Sequence, residues 1–153
     1  MSTILRSRWL LPIDRPPIRD GWIECADGRI VALGAGRPPA DAEDLGDVAV
    51  LPGLVNAHTH LELSGLAGRV PPAASMVEWI RRLIAERGAP ALESVARAAV
   101  ALRAAGTSLV GDISNGLGTT SAIEMAGLGG VVFHELLGFN VADPHAIVRD
   151  AWA

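Results

Sequence analysis

Two histidines separated by one residue are the side chains of this sequence best suited to chemistry. His58 and His60 follow directly on the apolar run at residues 48–55. Alternate residues of a strand point to the same face, so both imidazoles are expected on one side. Neutral imidazole is a ligand of Zn²⁺ and similar ions. The pattern predicts a metal site, although a His-x-His by itself is more often two surface or core histidines.

Buried strands alternating with helices are expected to position this pair. Residues 107–113 and 130–137 have the continuous apolar character of buried strands, and residues 76–87 and 91–105 have helical spacing. Together with a strand near residue 50, they predict parallel βα units. A complete (β/α)₈ barrel takes about 250 residues, whereas residues 51–153 number 153 − 51 + 1 = 103. The sequence also stops inside a helix predicted to begin at Asp143-Pro144, so we expect an incomplete barrel.

Residues 1–50 have a different pattern, of short apolar runs and turns. The runs at residues 22–25 and 29–33 are joined through Asp27-Gly28. This pair favours a hairpin because both turn positions accept positive φ. We expect a small all-β segment before the βα units.

Composition and charge exclude several classes of protein. The 153 residues are half hydrophobic and carry a net charge of −4, which argues against nucleic-acid binding. No secretory signal and no uncharged apolar stretch of about 18 residues is found, so we expect neither export nor a membrane span. A lone cysteine, Cys25, excludes an internal disulfide and is compatible with the cytoplasm.

The segment around the histidine pair resembles the first-strand signature of the amidohydrolase superfamily. The residues that carry the resemblance are Pro52-Gly53-Leu54-Val55-Asn56-Ala57-His58-Thr59-His60-Leu61-Glu62. Residues 20–23 and 27–34 are similar to the N-terminal β-sandwich strands of that family. Asn56-Ala57 before the pair resembles the deaminase and chlorohydrolase branch, whereas the cyclic-amide branch usually has an aspartate two positions before the first histidine.

The resemblance implies an α/β fold, with a β-sandwich segment at 1–50 and the first third of a metal-dependent (β/α)₈ TIM barrel at 51–153. It implies that His58 and His60 bind a divalent metal, zinc or iron. The catalytic residues and the remaining ligands are expected beyond Ala153. The implied activity is hydrolysis of non-peptide carbon–nitrogen bonds, deaminase-like, on an amino-heterocycle or nucleoside-like small molecule. The alternative is a catalytically inactive truncated or split-gene product that lacks the later metal ligands. A third interpretation is a split enzyme completed by a complementary chain, and a homo-oligomer is also compatible with the sequence.

Three further residues are candidates for substrate binding. Glu62 is suited to contact substrate amines, or it is a loop carboxylate bonded to backbone amides. Trp79 is a substrate platform or, as its position on an apolar stripe favours, a core residue. Glu135 is adjacent to His134 on the third predicted strand, so at most one of the two faces the barrel interior.

Four other polar residues have weaker claims. Asp112 lies in the second predicted strand and Asn115 just beyond it, where function and loop capping are equally plausible. His145 follows a proline at a helix start and is interpreted as a surface residue. Cys25 is interpreted as a small buried hydrophobic residue.

Overall fold

The computed structural model of the chain describes residues 2–138 and 141–152. The chain divides into two compact units, Met1–Pro52 and Gly53–Ala153. Within the described residues, every helix is too short or too polar to cross a membrane.

The first unit is a five-stranded sheet with mixed strand directions. Strands β1, β2 and β3 pair antiparallel in the order β3-β2-β1, and the short strands β4 and β5 pair parallel with β1. Their bounds are Ser2–Leu10, Ile18–Ala26, Arg29–Ala35, Glu43–Asp44 and Ala49–Val50. The strands agree with the expected all-β character, and a β-sandwich stays a prediction because one sheet is described.

The turn between β2 and β3 confirms the predicted hairpin. Asp27 has φ 50° and Gly28 has φ 72°. Two consecutive positive φ angles are typical of the type I′ turn, whose twist matches that of paired strands.

The second unit is a three-stranded parallel sheet with helices in its connections. It contains β6 (Leu54–Thr59), a 3₁₀ helix (Leu61–Leu66), α1 (Met76–Glu86), α2 (Leu92–Ala104), β7 (Thr107–Ser114), α3 (Thr120–Met125), β8 (Gly129–His134) and α4 (Pro144–Ala151). The strand order is β6-β7-β8, and both pairs are parallel. The mixed α/β class and the parallel βα units are therefore confirmed, and closure into a (β/α)₈ barrel stays a prediction.

A small apolar core lies between this sheet, the 3₁₀ helix, α2 and α3. Its buried members are Leu61, Val95, Ala99, Val110, Ile123 and Leu128. Helix α2 buries Val95 and Ala99, as its spacing predicts, whereas Leu92 at the first position of the helix is 68% exposed. Leu61 follows His60 directly, so the residue next to the histidine pair is anchored in this core.

Helix α1 forms where its pattern predicts but buries none of its residues. Ser75 caps it by accepting a hydrogen bond from the Glu78 backbone N–H. Polar contacts attach it to its surroundings, including donation from Arg82 to the Pro72 carbonyl at 2.8 Å. Trp79 is 36% exposed. The interpretation of Trp79 as a core residue is therefore wrong for this unit. Amphipathic spacing predicts that a helix has an apolar face, but it does not specify what packs against that face.

Two predicted boundaries shift in the structure. The apolar run at residues 48–55 is divided between units, because β5 ends at Val50 and β6 begins at Leu54. The strand predicted at residues 130–137 ends at His134, so Glu135 lies beyond it. His134 and Glu135 are therefore not on opposite faces of one strand.

The helix starts are predicted with mixed success. Asp143 caps α4 as expected, accepting hydrogen bonds from the backbone N–H groups of His145 and Ala146. The spacing of Ser121 and Glu124 also predicts a capping box. This prediction is wrong, since α3 begins at Thr120 and the side chain of its N-cap, Thr119, makes no hydrogen bond to the helix backbone.

Candidate metal centre and its supporting network

The imidazoles of His58 and His60 meet at the carboxyl end of β6. Their Nε2 atoms are 3.2 Å apart. The ring centroids are 5.1 Å apart, and the ring planes are inclined by 65°. His58 is exposed and His60 is half-buried. The two ring nitrogens therefore lie close together at a place that solvent reaches.

This separation fits two ligands of one zinc ion. Zn–N bonds of 2.0–2.1 Å at a tetrahedral angle place the two nitrogens about 3.3 Å apart, and the structure has 3.2 Å. Within residues 2–138 and 141–152, no group of three or more His, Cys, Asp or Glu side chains is arranged to hold a metal. The separation of the pair is therefore compatible with two ligands of one ion, and it is also that of a hydrogen bond between the two rings.

Strand β6 is irregular where it carries the first histidine of the pair. Asn56 pairs with Val110, but Thr59 pairs with Asp112, so β6 has one more residue than β7 between these pairs. Such a bulge re-aims the side chains that follow it. His60 lies beyond the end of β6 at Thr59. The 3.2 Å separation of the Nε2 atoms agrees with the expectation that both imidazoles lie on one side, although the second histidine follows the regular strand instead of belonging to it.

A buried carboxylate on β7 supports the turn after the pair. Asp112 is fully buried. Its Oδ1 accepts a hydrogen bond from the Leu61 backbone N–H at 2.8 Å, and its Oδ2 accepts one from Thr119 Oγ1 at 2.6 Å. Of the two interpretations that the sequence left open for Asp112, the structure shows the second, a carboxylate that caps a neighbouring loop.

Glu62 is a second buried carboxylate, saturated with donors from its own chain. Its Oε2 accepts hydrogen bonds from Ser114 Oγ and the Asn115 backbone N–H, both at 3.0 Å, and from the Gly116 backbone N–H at 3.4 Å. Its Oε1 is paired with the guanidinium of Arg87. These contacts join the turn after β6, the loop after β7 and the end of α1.

Asn115 extends this network to the third strand. Its Nδ2 donates to the Glu135 carbonyl, and the Glu135 backbone N–H donates to the Ser114 carbonyl at 2.9 Å. Nε2 of His134 lies 3.1 Å from the Asn115 carbonyl oxygen. The loops that follow β7 and β8 are therefore fixed to each other by polar contacts.

The predicted substrate-binding residues are divided by this arrangement. Glu62 and the backbone of Glu135 both contact Asn115, and Trp79 lies outside the network on the exposed surface of α1. A cavity of about 400 Å³ adjoins Glu62, Arg87 and Asn115. A substrate role for Glu62, Trp79 and Glu135 stays a prediction.

The remaining candidates lie at the surface or partly exposed. His145 is exposed at the start of α4, as predicted, and Cys25 is half-buried rather than buried. Arg87 and Ser114 were not singled out from sequence. In the sequence Arg87 is notable only for its position at the end of a predicted helix and before Gly88. That position does not identify Glu62, 25 residues away, as its partner.

Comparisons with known proteins give the architecture a context. No protein-family model matches the chain. Over 76 residues it is 38% identical to a 5-methylthioadenosine/S-adenosylhomocysteine deaminase of Nitratidesulfovibrio vulgaris strain Miyazaki F, and the match covers 46% of this chain and 17% of that protein. The chain thus spans under a fifth of the length of this curated relative.

Two solved structures have the same fold over nearly the whole chain. The aminofutalosine deaminase of Helicobacter pylori in complex with methylthio-coformycin matches with a TM-score of 0.77 and 24% identity, over 97% of this chain and 39% of that one. The guanine deaminase of C. acetobutylicum with bound guanine matches with a TM-score of 0.72 and 17% identity, over 94% of this chain and 38% of that one. At these identities the likeness shows the fold alone.

The fold and the relatives define one class of protein. The chain is similar to part of these proteins in sequence and in fold, in agreement with the resemblance carried by residues 52–62. The proteins that it resembles are enzymes, and those compared above are deaminases.

Proposed function

We propose that this chain is the N-terminal part of a metal-dependent hydrolase of non-peptide carbon–nitrogen bonds, deaminase-like in its reaction. His58 and His60 provide two ligands of a divalent metal, zinc or iron. The observation that carries the proposal is the 3.2 Å separation of their Nε2 atoms at the carboxyl end of the first parallel strand. In (β/α)₈ barrels that end of the strands is where active sites lie.

The residues of this chain have a positioning and binding part in such a reaction. When bound by His58 and His60, a divalent ion would supply a nucleophile by lowering the pKa of its bound water toward neutrality. His58 and His60 hold the ion at the strand end, where solvent reaches the pair. The acid–base groups that move protons to and from the substrate belong, on this proposal, to parts of the whole protein outside these residues.

The proposed substrate is a small amino-heterocycle or nucleoside-like molecule. Support comes from the relatives, among them a methylthioadenosine/S-adenosylhomocysteine deaminase and structures with bound methylthio-coformycin and guanine. Glu62 and Glu135 are proposed to shape the site from the loops after β6 and β8, and Trp79 to contact substrate from α1. The whole protein is proposed to act in the cytoplasm.

Zinc binding by matched histidine variants tests the metal site. We expect the purified chain to bind one zinc ion weakly, because two histidines fall short of the three protein ligands usual in catalytic sites. His58→Gln and His60→Gln should each weaken binding at least about tenfold, as expected for loss of one of two ligands. His145→Gln removes an exposed histidine of α4 and should change nothing. Equal affinity in all four proteins, measured by competition with a chromophoric chelator, contradicts the proposal.

Activity is tested on the protein isolated from its source cells. A polypeptide heavier than 15.9 kDa that contains this sequence and releases ammonia from aminopurine nucleosides, with activity lost on chelation and restored by zinc, supports the hydrolase. The alternative is a chain that binds metal poorly and does not catalyse. It is favoured by the fact that the described residues contain no group of three ligands, and a native species of 15.9 kDa with no partner and no turnover would establish it.

A further inference from the structure

We infer that Gly111 and Asp112, adjacent residues of β7, are positioning residues that set the separation of the two imidazoles. The inference rests on the proposed function, because the positioning would serve a metal site. The contacts that support it do not depend on a bound metal. Asp112 contacts the residue after His60, and Gly111 contacts the residue before His58. The two residues therefore hold the His-x-His segment at both ends.

Asp112 fixes the peptide that joins His60 to Leu61. The N–H of this peptide donates to Asp112 Oδ1 at 2.8 Å, and its carbonyl accepts from the Leu63 backbone N–H at 3.0 Å. With both polar atoms bonded, the peptide plane cannot rotate freely. His60 has φ −127° and ψ 77°, so the chain changes direction at this residue, between the end of β6 and the 3₁₀ helix.

The support from Asp112 is itself rigid. The carboxylate is fully buried, and its second oxygen accepts from Thr119 Oγ1. Its backbone belongs to the central strand of the sheet, paired on both sides. His60 makes no side-chain cap to the 3₁₀ helix that follows it. The acceptor for the first N–H of that helix is instead supplied by a residue 51 positions away.

Gly111 lies opposite the bulge of β6 that contains His58. A Cβ added to Gly111 would lie 2.5 Å from the Ala57 carbonyl oxygen and 3.0 Å from its carbon, and both are backbone atoms that cannot swing away. The Ala57 carbonyl belongs to the peptide that leads into His58. Any side chain at position 111 would therefore displace His58, and glycine is needed for close approach rather than for its φ angle.

The expected consequence is a metal site that loses affinity when its backbone support is removed. Residues that orient metal ligands without touching the metal change affinity by about 10- to 100-fold when mutated. Asp112 acts through one peptide on one of two ligands, so the low end of that range is expected.

The experiment uses the full chain and two independent readouts. Zinc affinity is measured by chelator competition, and the relative placement of the rings is measured without metal as the NMR cross-relaxation between ring protons of His58 and His60. The sequence contains four histidines, so the ring signals of His134 and His145 serve as internal controls. The ring readout decides the inference even if zinc does not bind, which separates its failure from that of the proposed function.

Asp112→Ala should weaken zinc binding about tenfold and abolish the ring-to-ring signal. Asp112→Asn keeps the oxygen that accepts from Leu61 and should retain both. Val95→Ala destabilises the same core from α2 and should retain both as well. The inference is overturned if folded Asp112→Ala keeps the wild-type ring signal, or if Val95→Ala loses it equally.

Two milder variants keep the test decisive if Asp112→Ala does not fold. Thr119→Val removes only the bond to the second carboxylate oxygen, and a weakened ring signal is expected. Gly111→Ala should displace His58 and reduce the ring signal, while leaving the resonances of His145 unchanged. Wild-type ring signals in both variants would overturn the inference.

Discussion

Replacing Arg87 by alanine should destabilise the second unit by about 2 kcal/mol. The carboxylate of Glu62 has a side chain only 3% exposed, and Arg87 is its cationic partner. Removing one partner of a buried ion pair typically costs about 3–5 kcal/mol, because the other charge is left without compensation. The figure is lower here because the Arg87 side chain is 27% exposed and the hydroxyl and backbone donors of residues 114–116 continue to solvate Glu62.

Urea denaturation followed by far-UV circular dichroism measures this change. The matched control is Arg97→Ala, which breaks an ion pair with Glu93 whose side chains are 69% and 84% exposed and should cost less than about 0.5 kcal/mol. In a Glu62→Gln background, Arg87→Ala should cost less than about 1 kcal/mol, because the buried charge is gone. Equal losses for Arg87→Ala and Arg97→Ala, or no coupling to Glu62, would refute this account.

Two further predictions concern the scaffold. Val95→Ala should cost about 2 kcal/mol in urea denaturation, since it removes two methyl groups from a fully buried position; Val100→Ala on the same helix, 58% exposed, has the same propensity change and should cost less than about 0.5 kcal/mol. Gly28→Ala places a side chain at φ 72° in the hairpin turn and should cost about 1 kcal/mol in the first unit, whereas Gly88→Ala, at an unstrained position with open space around it, should cost nothing. Comparable losses within either pair would contradict the corresponding argument.

Local features were predictable because their causes are local. The Asp27-Gly28 hairpin depends on which residues accept positive φ, and the Asp143 cap depends on an oxygen within reach of the next N–H groups. Helices α1 and α2 follow from apolar spacing over one or two turns. The Ser121 capping box failed although its spacing was right, because helix α3 begins at Thr120, one residue after Thr119, whose hydroxyl is bonded to Asp112.

The sequence by itself predicted two imidazoles at a strand end, in a segment that resembles a motif of the amidohydrolase superfamily. Only the tertiary structure decided how they meet. In the folded chain Gly111 lies close to the Ala57 carbonyl within the bulge of β6, and Asp112 accepts a hydrogen bond from the backbone of Leu61, 51 residues away. A buried carboxylate accepts hydrogen bonds from the donors that the packing of other elements places next to it. Residue type and local spacing do not specify which donors these are, because they depend on proximity in three dimensions.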